Sequence, residues 1–130
     1  MKKELKDITN REDISLLVRT FYDKIRADQE IGFYFNEMIN DWDEHLDKLT
    51  DFWEMNLFGN KFYKGNPLEA HVNVDKHFGG KIGPNEFGIW LNHWAQTLDE
   101  LFEGENVDIL KRRARKMGTF IYMGMFNSRS

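Results

Sequence analysis

Apolar side chains recur along this chain at steps of three and four residues, with charged and polar residues between them. That period marks amphipathic helices, and the strict alternation of half-buried strands is scarce. Ile14, Leu17, Val18, Phe21 and Ile25 fall within about 100° of arc on a helical wheel, with Tyr22 at the edge of the stripe. Thr9 followed by Glu12 is a capping-box pattern and predicts the start of this first helix. Its end is expected near Asp28, ahead of Gly32. Ile31 to Asn36 is a short aromatic segment, expected as a single helical turn.

Asp41, with Glu44 three residues on, predicts the next cap. The stripe behind it includes Trp42, His45, Leu46, Leu49, Phe52, Trp53 and Leu57, so His45 projects among aromatic residues. Gly59 and Asn60 stop this helix, and a loop follows to Asn66. Asn66 before Pro67 is a strong helix start, with Asn as cap and Pro at the first position. That helix is short, carries His71 and is expected to run to about Val74. Asp75 to Gly83 reads as loop. Pro84 opens a long helix with Phe87, Trp90, Trp94 and Leu98 on one face, and Gly104 breaks it. Val107, Leu110, Ala114, Met117, Ile121 and Met125 form the last stripe. Gly118 and Gly124 either weaken that helix or mark close helix contacts. The pattern predicts an all-α chain with about four substantial helices and a short one bearing His71. At 130 residues it is one domain, with 1–8 expected as a loose N-terminal extension.

Composition sharpens this picture. Aromatics make up 15% of the chain, including eleven Phe and four Trp, which suit either a plain core or the walls of a cavity for something planar. A net charge of −4 lacks the basic footprint that phosphate binding needs, so no nucleic-acid partner is expected. The one basic run, Lys111 to Lys116, lies inside a helical pattern and reads as a solvated face. With no cysteine, disulfides, thiolate zinc sites, iron–sulfur clusters and haem attached through Cys-x-x-Cys-His are excluded. The first residues lack the apolar core of a signal peptide, and no apolar run approaches a membrane span. A cytoplasmic protein without a membrane partner is the expectation.

Two histidines on separate helices, among many aromatics, suggest a buried flat ligand, and haem iron held by one imidazole is the obvious candidate. His71 on its short helix suits that role; the alternative is an ordinary exposed or capping histidine. His77, in the following loop, is the rival ligand. His45 either faces the other side of the ring, as iron ligand, hydrogen-bond donor or gate, or is a core histidine satisfied by a carbonyl. His93, at the margin of its stripe, reads as surface. The Tyr22 phenol would give a charge-assisted hydrogen bond to a diatomic ligand that gains negative charge, or else its ring packs and its hydroxyl reaches water. The Trp90 indole, a donor only, is a second donor to the ligand or a core residue. Phe21, Phe35, Leu49, Phe52 and Trp53 read as cavity wall or core. No glycine-rich phosphate loop, His-Glu-x-x-His or calcium loop occurs, nor the paired Glu-x-x-His of a di-iron bundle.

Taken in order, Phe21-Tyr22-Asp23-Lys24-Ile25, Trp42-x-x-His45-Leu46, Phe52-Trp53, Gly65-Asn66-Pro67-Leu68-x-x-His71 and Trp90-Leu91 resemble the bacterial truncated haemoglobins, third subgroup. The resemblance covers roughly Ile14 to Met125. It implies a truncated globin-like two-over-two helical sandwich around non-covalent haem b, with His71 as proximal iron ligand. It implies Tyr22 and Trp90 as distal donors, His45 at the distal histidine position, and Phe21, Leu49 and Trp53 around the haem. Leu57-Phe58-Gly59-Asn60 stands where the other subgroups carry glycine pairs, which fits the third. The stretch from His71 to Trp90, with Gly79-Gly80 inside, is longer than the family pattern and keeps His77 in play. Lys48 and Lys64 are candidates for the haem propionates by position. The implied activity is reversible binding of O2 and other diatomic gases, or oxidation of nitric oxide to nitrate. The latter requires a separate reductase, since the chain has no flavin or nicotinamide domain. A peroxidase-like haem enzyme and a haem-less helical regulatory domain are the alternatives.

Overall fold

Six helices form among the described residues, which are 4–59, 63 and 65–129 of the computed structural model. They are α1 (Arg11–Ala27), α2 (Gly32–Met38), α3 (Trp42–Phe58), α4 (Pro67–His77), α5 (Pro84–Leu101) and α6 (Glu105–Ser128). No strand occurs among those residues. The all-α expectation holds, and so does the layering: α1 packs on α3, α5 packs on α6, and α1 lies against α5 to join the two pairs. The short α2 leans on α1, and α4 leans on α6. Among the described residues no helix is long and apolar enough to cross a membrane.

The layers meet in an aromatic core. Ile14, Leu17, Val18, Phe21 and Ile25 of α1 are fully buried, as the periodicity requires. Trp53 of α3 stacks on Trp94 of α5 at 4.5 Å between ring centres. Phe21 sits edge-on to both Trp94 and Trp90, at 5.0 and 5.1 Å. Each such aromatic pair adds about 0.5–1.5 kcal/mol beyond its burial. The Trp94 indole N–H is satisfied by the Leu110 carbonyl at 3.2 Å, which ties α5 to α6.

Local signals placed most helix ends. Asp41 caps α3 by accepting the Glu44 amide, and Asn66 caps α4 by accepting the Glu69 amide, both at 3.1 Å. Three expectations need correction. Asn10, not Thr9, caps α1, accepting the Asp13 amide at 2.9 Å. Thr9 instead donates its amide to the Asp13 carboxylate, so the box is shifted by one residue. The segment before α1 is not a loose extension over its described part. Ile8 is fully buried, Glu103 donates its amide to the Lys6 carbonyl at 3.0 Å, and Asn106 donates to the Asp7 carboxylate and the Ile8 carbonyl. Asn60, expected to help end α3, lies outside the described residues, while Gly59 ends it with a left-handed φ of 81°. Finally, α4 runs three residues past Val74, to His77. Gly79 at φ 78° lets the Gly79 and Gly80 amides turn back onto the Lys76 and Asp75 carbonyls, closing the helix there.

His93 is not a plain surface residue either. Its Nε2 lies 2.7 Å from the Asp28 carboxylate, and that contact, first among several, holds the Asp28 carboxyl below the usual carboxylate range. Asp28 also accepts the amides of Glu30 and Ile31, so this pair pins the α1–α2 turn to α5.

At that turn Gly32 presses directly on backbone. A Cβ placed there would meet the Arg26 and Ile25 carbonyl oxygens at 2.8 and 3.0 Å, whereas one placed at Gly88 in α5 would meet nothing within 4 Å. Gly32→Ala is therefore expected to destabilise the fold by about 1–3 kcal/mol. Gly88→Ala is expected to stabilise it by about 0.5–1 kcal/mol. Urea unfolding midpoints moving in opposite directions would bear this out; a neutral Gly32→Ala would contradict the packing described.

Candidate functional site

Every helix contributes to one cavity of about 240 Å³ between the layers. On α3, His45, Leu49 and Phe52 recur at steps of four and three, so one face of the helix lines it. Pro67, Ala70, His71 and Val74 do the same on α4, and Met117, Gly118, Ile121 and Met125 on α6. Tyr22 enters from α1, Phe35 from α2, and Trp90 from α5. The walls are mainly apolar and aromatic, and the polar groups are few.

His71 is the first of these. Its Nδ1 lies 2.6 Å from the Pro67 carbonyl oxygen. A carbonyl only accepts, so Nδ1 carries the hydrogen and the Nε2 lone pair is left free. Burial pushes the imidazole below the ordinary histidine range, against the opposing pull of the Pro67 bond. The ring is thus neutral, with one oriented donor nitrogen, which is the form that binds a metal.

Tyr22 is 5% exposed, and burial raises its phenol far above the ordinary value. The hydroxyl keeps its proton. A smaller influence from the Trp90 indole acts the other way. Both side chains line the cavity, so the Tyr22 proton is available to a guest. His45 is half-buried beside them, its ring centre 6.4 Å from that of Tyr22 and 6.0 Å from that of Trp42. Burial first, then Lys48 and His71, depress its imidazole as well.

Of the residues singled out in the sequence, Tyr22, Phe35, His45, Leu49, Phe52, Trp53, His71 and Trp90 all reach the cavity. Phe21 does not; it stands behind Trp90, packed edge-on against it. Lys48 is on the rim, and Lys64 lies outside the described residues. His77 does not point inward. It is exposed on the last turn of α4, with Nε2 at 3.0 Å from the Glu37 carboxylate, and so drops out as the rival to His71. The wall positions that sequence reasoning missed include Tyr34, Tyr63, Glu86 and Phe87. Met117, Ile121 and Met125 were visible only as a core stripe, and nothing in their spacing separates wall from core.

The donor set also says what kind of metal site this is. Among the described residues no three His, Cys, Asp or Glu side chains gather to hold an ion. A metal bound by the single imidazole of His71 must bring its other ligands with it. A planar macrocycle between aromatic walls meets that condition, so the residues present fit haem.

Residues 6–126 match the family of bacterial-like globins. A group 3 truncated haemoglobin, ctb, of Campylobacter jejuni is 31% identical over 115 residues, covering 85% of this chain and 86% of the relative. The crystal structure of group III truncated haemoglobin from Campylobacter jejuni superposes with a TM-score of 0.80 at 30% identity, covering 100% of this chain and 99% of that one.

The depressed imidazole has a consequence for pH. In the unfolded chain His71 takes its ordinary value of 6.5, while in the fold it resists protonation. As pH falls through that value the unfolded state binds a proton that the folded state refuses, so stability drops. Urea midpoints of the ligand-free protein should decline between about pH 7.5 and 5.5. His71→Ala should flatten the decline, and an unaltered slope would count against a neutral buried His71.

Proposed function

The chain belongs to the bacterial-like globin family, among the group 3 truncated haemoglobins, and from that premise we propose that its cavity holds haem b with His71 as the iron ligand. The supporting observation is the His71 imidazole, its Nδ1 spent on the Pro67 carbonyl and its Nε2 free inside an apolar, aromatic cavity. Bound haem would supply an iron able to bind a diatomic gas.

The remaining roles fall to the chain. Leu49, Phe52, Trp53 and Phe35 flank the ring and exclude water. Tyr22 donates its proton to a gas that takes on negative charge, which slows its release. Trp90 lines the cavity with Tyr22 and serves as a second donor to the guest. His45 occupies the same side, where it hydrogen-bonds or gates the guest. Lys48 at the rim is placed to meet a propionate. The same donors suit the conversion of nitric oxide to nitrate, in which NO, O2 and one electron give NO3−. The electron must come from a separate reductase, and a cytoplasmic setting is part of this reading. One observation favours peroxidase-like activity as a second reading: His45 lines the same cavity beside Tyr22, where an imidazole is able to take a proton from hydrogen peroxide. Turnover of peroxide no faster than by free haemin would reject that reading.

Reconstitution with haemin is expected to give a strong absorption band near ~410 nm. His71→Ala should lose the imidazole-ligated spectrum, and free imidazole should restore it. A His71→Ala spectrum identical to the parent's without added imidazole would overturn the assignment.

Tyr22→Phe should speed oxygen release about ten- to a hundredfold, the equivalent of a hydrogen bond of roughly 1.5–3 kcal/mol to a charged acceptor. Trp90→Phe should act in the same direction. Stopped-flow off-rates decide the matter: an unchanged off-rate in either variant would mean that its side chain does not face the gas.

A further inference from the structure

Asp75 is 1% exposed, so its carboxylate depends on partners within the fold. Its carboxylate takes Arg129 in a two-pronged pair, Nε to Oδ2 at 2.9 Å and Nη2 to Oδ1 at 3.0 Å. The Ile82 amide donates to Oδ1 at 3.2 Å, and Arg129 also donates to the Ile82 carbonyl. The pair therefore joins α4, the segment before α5, and the residue that follows α6. A buried ion pair is weak support for stability, because desolvation offsets most of its attraction. Its place in the fold suggests another purpose.

Asp75 stands four residues after His71, one helical turn along on the same face of α4. The helix that α4 chiefly packs against is α6. Three residues before His71, Leu68 seats on Gly124, where any side chain would collide with it. Four residues after His71, Asp75 seats on Arg129. His71 thus lies between two anchor points of α4, a steric one on α6 and an ionic one on the residue that follows it. Pro67 sets how the imidazole ring is turned, and these anchors set how far it reaches.

We infer that Asp75 and Arg129 are positioning residues for His71, fixing the height and tilt of α4 and hence the reach of Nε2 toward the metal. This rests on His71 being the iron ligand, as proposed above. Loosening the pair lets α4 shift on α6, so the metal bond lengthens or becomes heterogeneous while Tyr22, His45 and Trp90 on the other side stay put.

The test uses the full chain loaded with haemin and reduced. Resonance Raman reads the iron–histidine stretching band, transfer to an acceptor globin reads haem loss, and urea midpoints read the fold. In Arg129→Gln and Asp75→Asn the band should move to lower frequency or broaden, and haem loss should accelerate about 10- to 100-fold, as when a partner that orients a metal-bound histidine is removed. Arg129→Lys keeps the charge and one donor, so it should recover part of both effects. Should Arg129→Gln fail to fold, Arg129→Lys and Asp75→Asn carry the comparison. Lys111→Ala, which breaks the exposed pair with Asp99 elsewhere on α6, should move neither readout. If the variants lose stability but keep the parent's band and haem-loss rate, the pair is structural only and the inference fails. A parent with no iron–histidine band at all overturns the His71 assignment itself; a parent band with unmoved variants overturns only the positioning role.

Discussion

The hydrogen bond from His71 Nδ1 to the Pro67 carbonyl, 2.6 Å long, is the interaction on which the site depends. An imidazole in an apolar cavity has two ways to fail as a ligand. It can protonate, or it can turn the wrong nitrogen inward. Burial prevents the first by making the charged form unfavourable. The carbonyl prevents the second, because it accepts a hydrogen only from Nδ1. The second control arises from helix geometry alone. Position 67 is four residues before 71, so the acceptor lies one turn back on the same face, and Asn66 with Pro67 fixes where that helix begins.

The rest of the architecture keeps space open around that ring. A cavity lined on every side is a liability in an interior that otherwise packs to crystal-like density. Here the layers are held apart by rigid planes. Trp53 on Trp94 and Phe21 against Trp90 and Trp94 form a pillar beside the cavity. Flat side chains with few rotatable bonds can bridge a gap without collapsing into it. Phe21 belongs to this pillar and not to the wall. It supports Trp90 from behind, and so acts on the site at one remove.

What could be read from the sequence divides along the same line. Caps such as Asp41 and Asn66 are local, their partner three residues away, and the chain spells them out. The apolar stripes of α1, α3, α5 and α6 were legible for the same reason. Long-range partners were not. Asp75 read as loop because an acidic residue there is uninformative until Arg129, 54 residues on, is known to reach it. His93 read as surface because Asp28 is 65 residues away. Residues 4–8 looked loose because their acceptors and donors lie on the α5–α6 turn. Within the site, His71, His45, Tyr22 and Trp90 stood out because a polar group on an apolar stripe requires a reason. Met117, Ile121 and Met125 did not, since an apolar residue facing a cavity and one facing core obey the same spacing.

The polar groups opposite His71 follow a different logic from the ligand itself. Tyr22, His45 and Trp90 all line the cavity, so several donors face one small space. A buried donor is unsatisfied whenever the cavity holds no guest, and an unpartnered buried polar group costs roughly 1–3 kcal/mol. That cost is what a polar guest recovers on entering. The His71 side is arranged differently, with the Pro67 carbonyl occupying one nitrogen so that the other is oriented. There a backbone carbonyl absorbs the surplus hydrogen-bonding capacity. The arrangement leaves one oriented lone pair on one side and a group of donors on the other, which is what a metal and a small polar guest require.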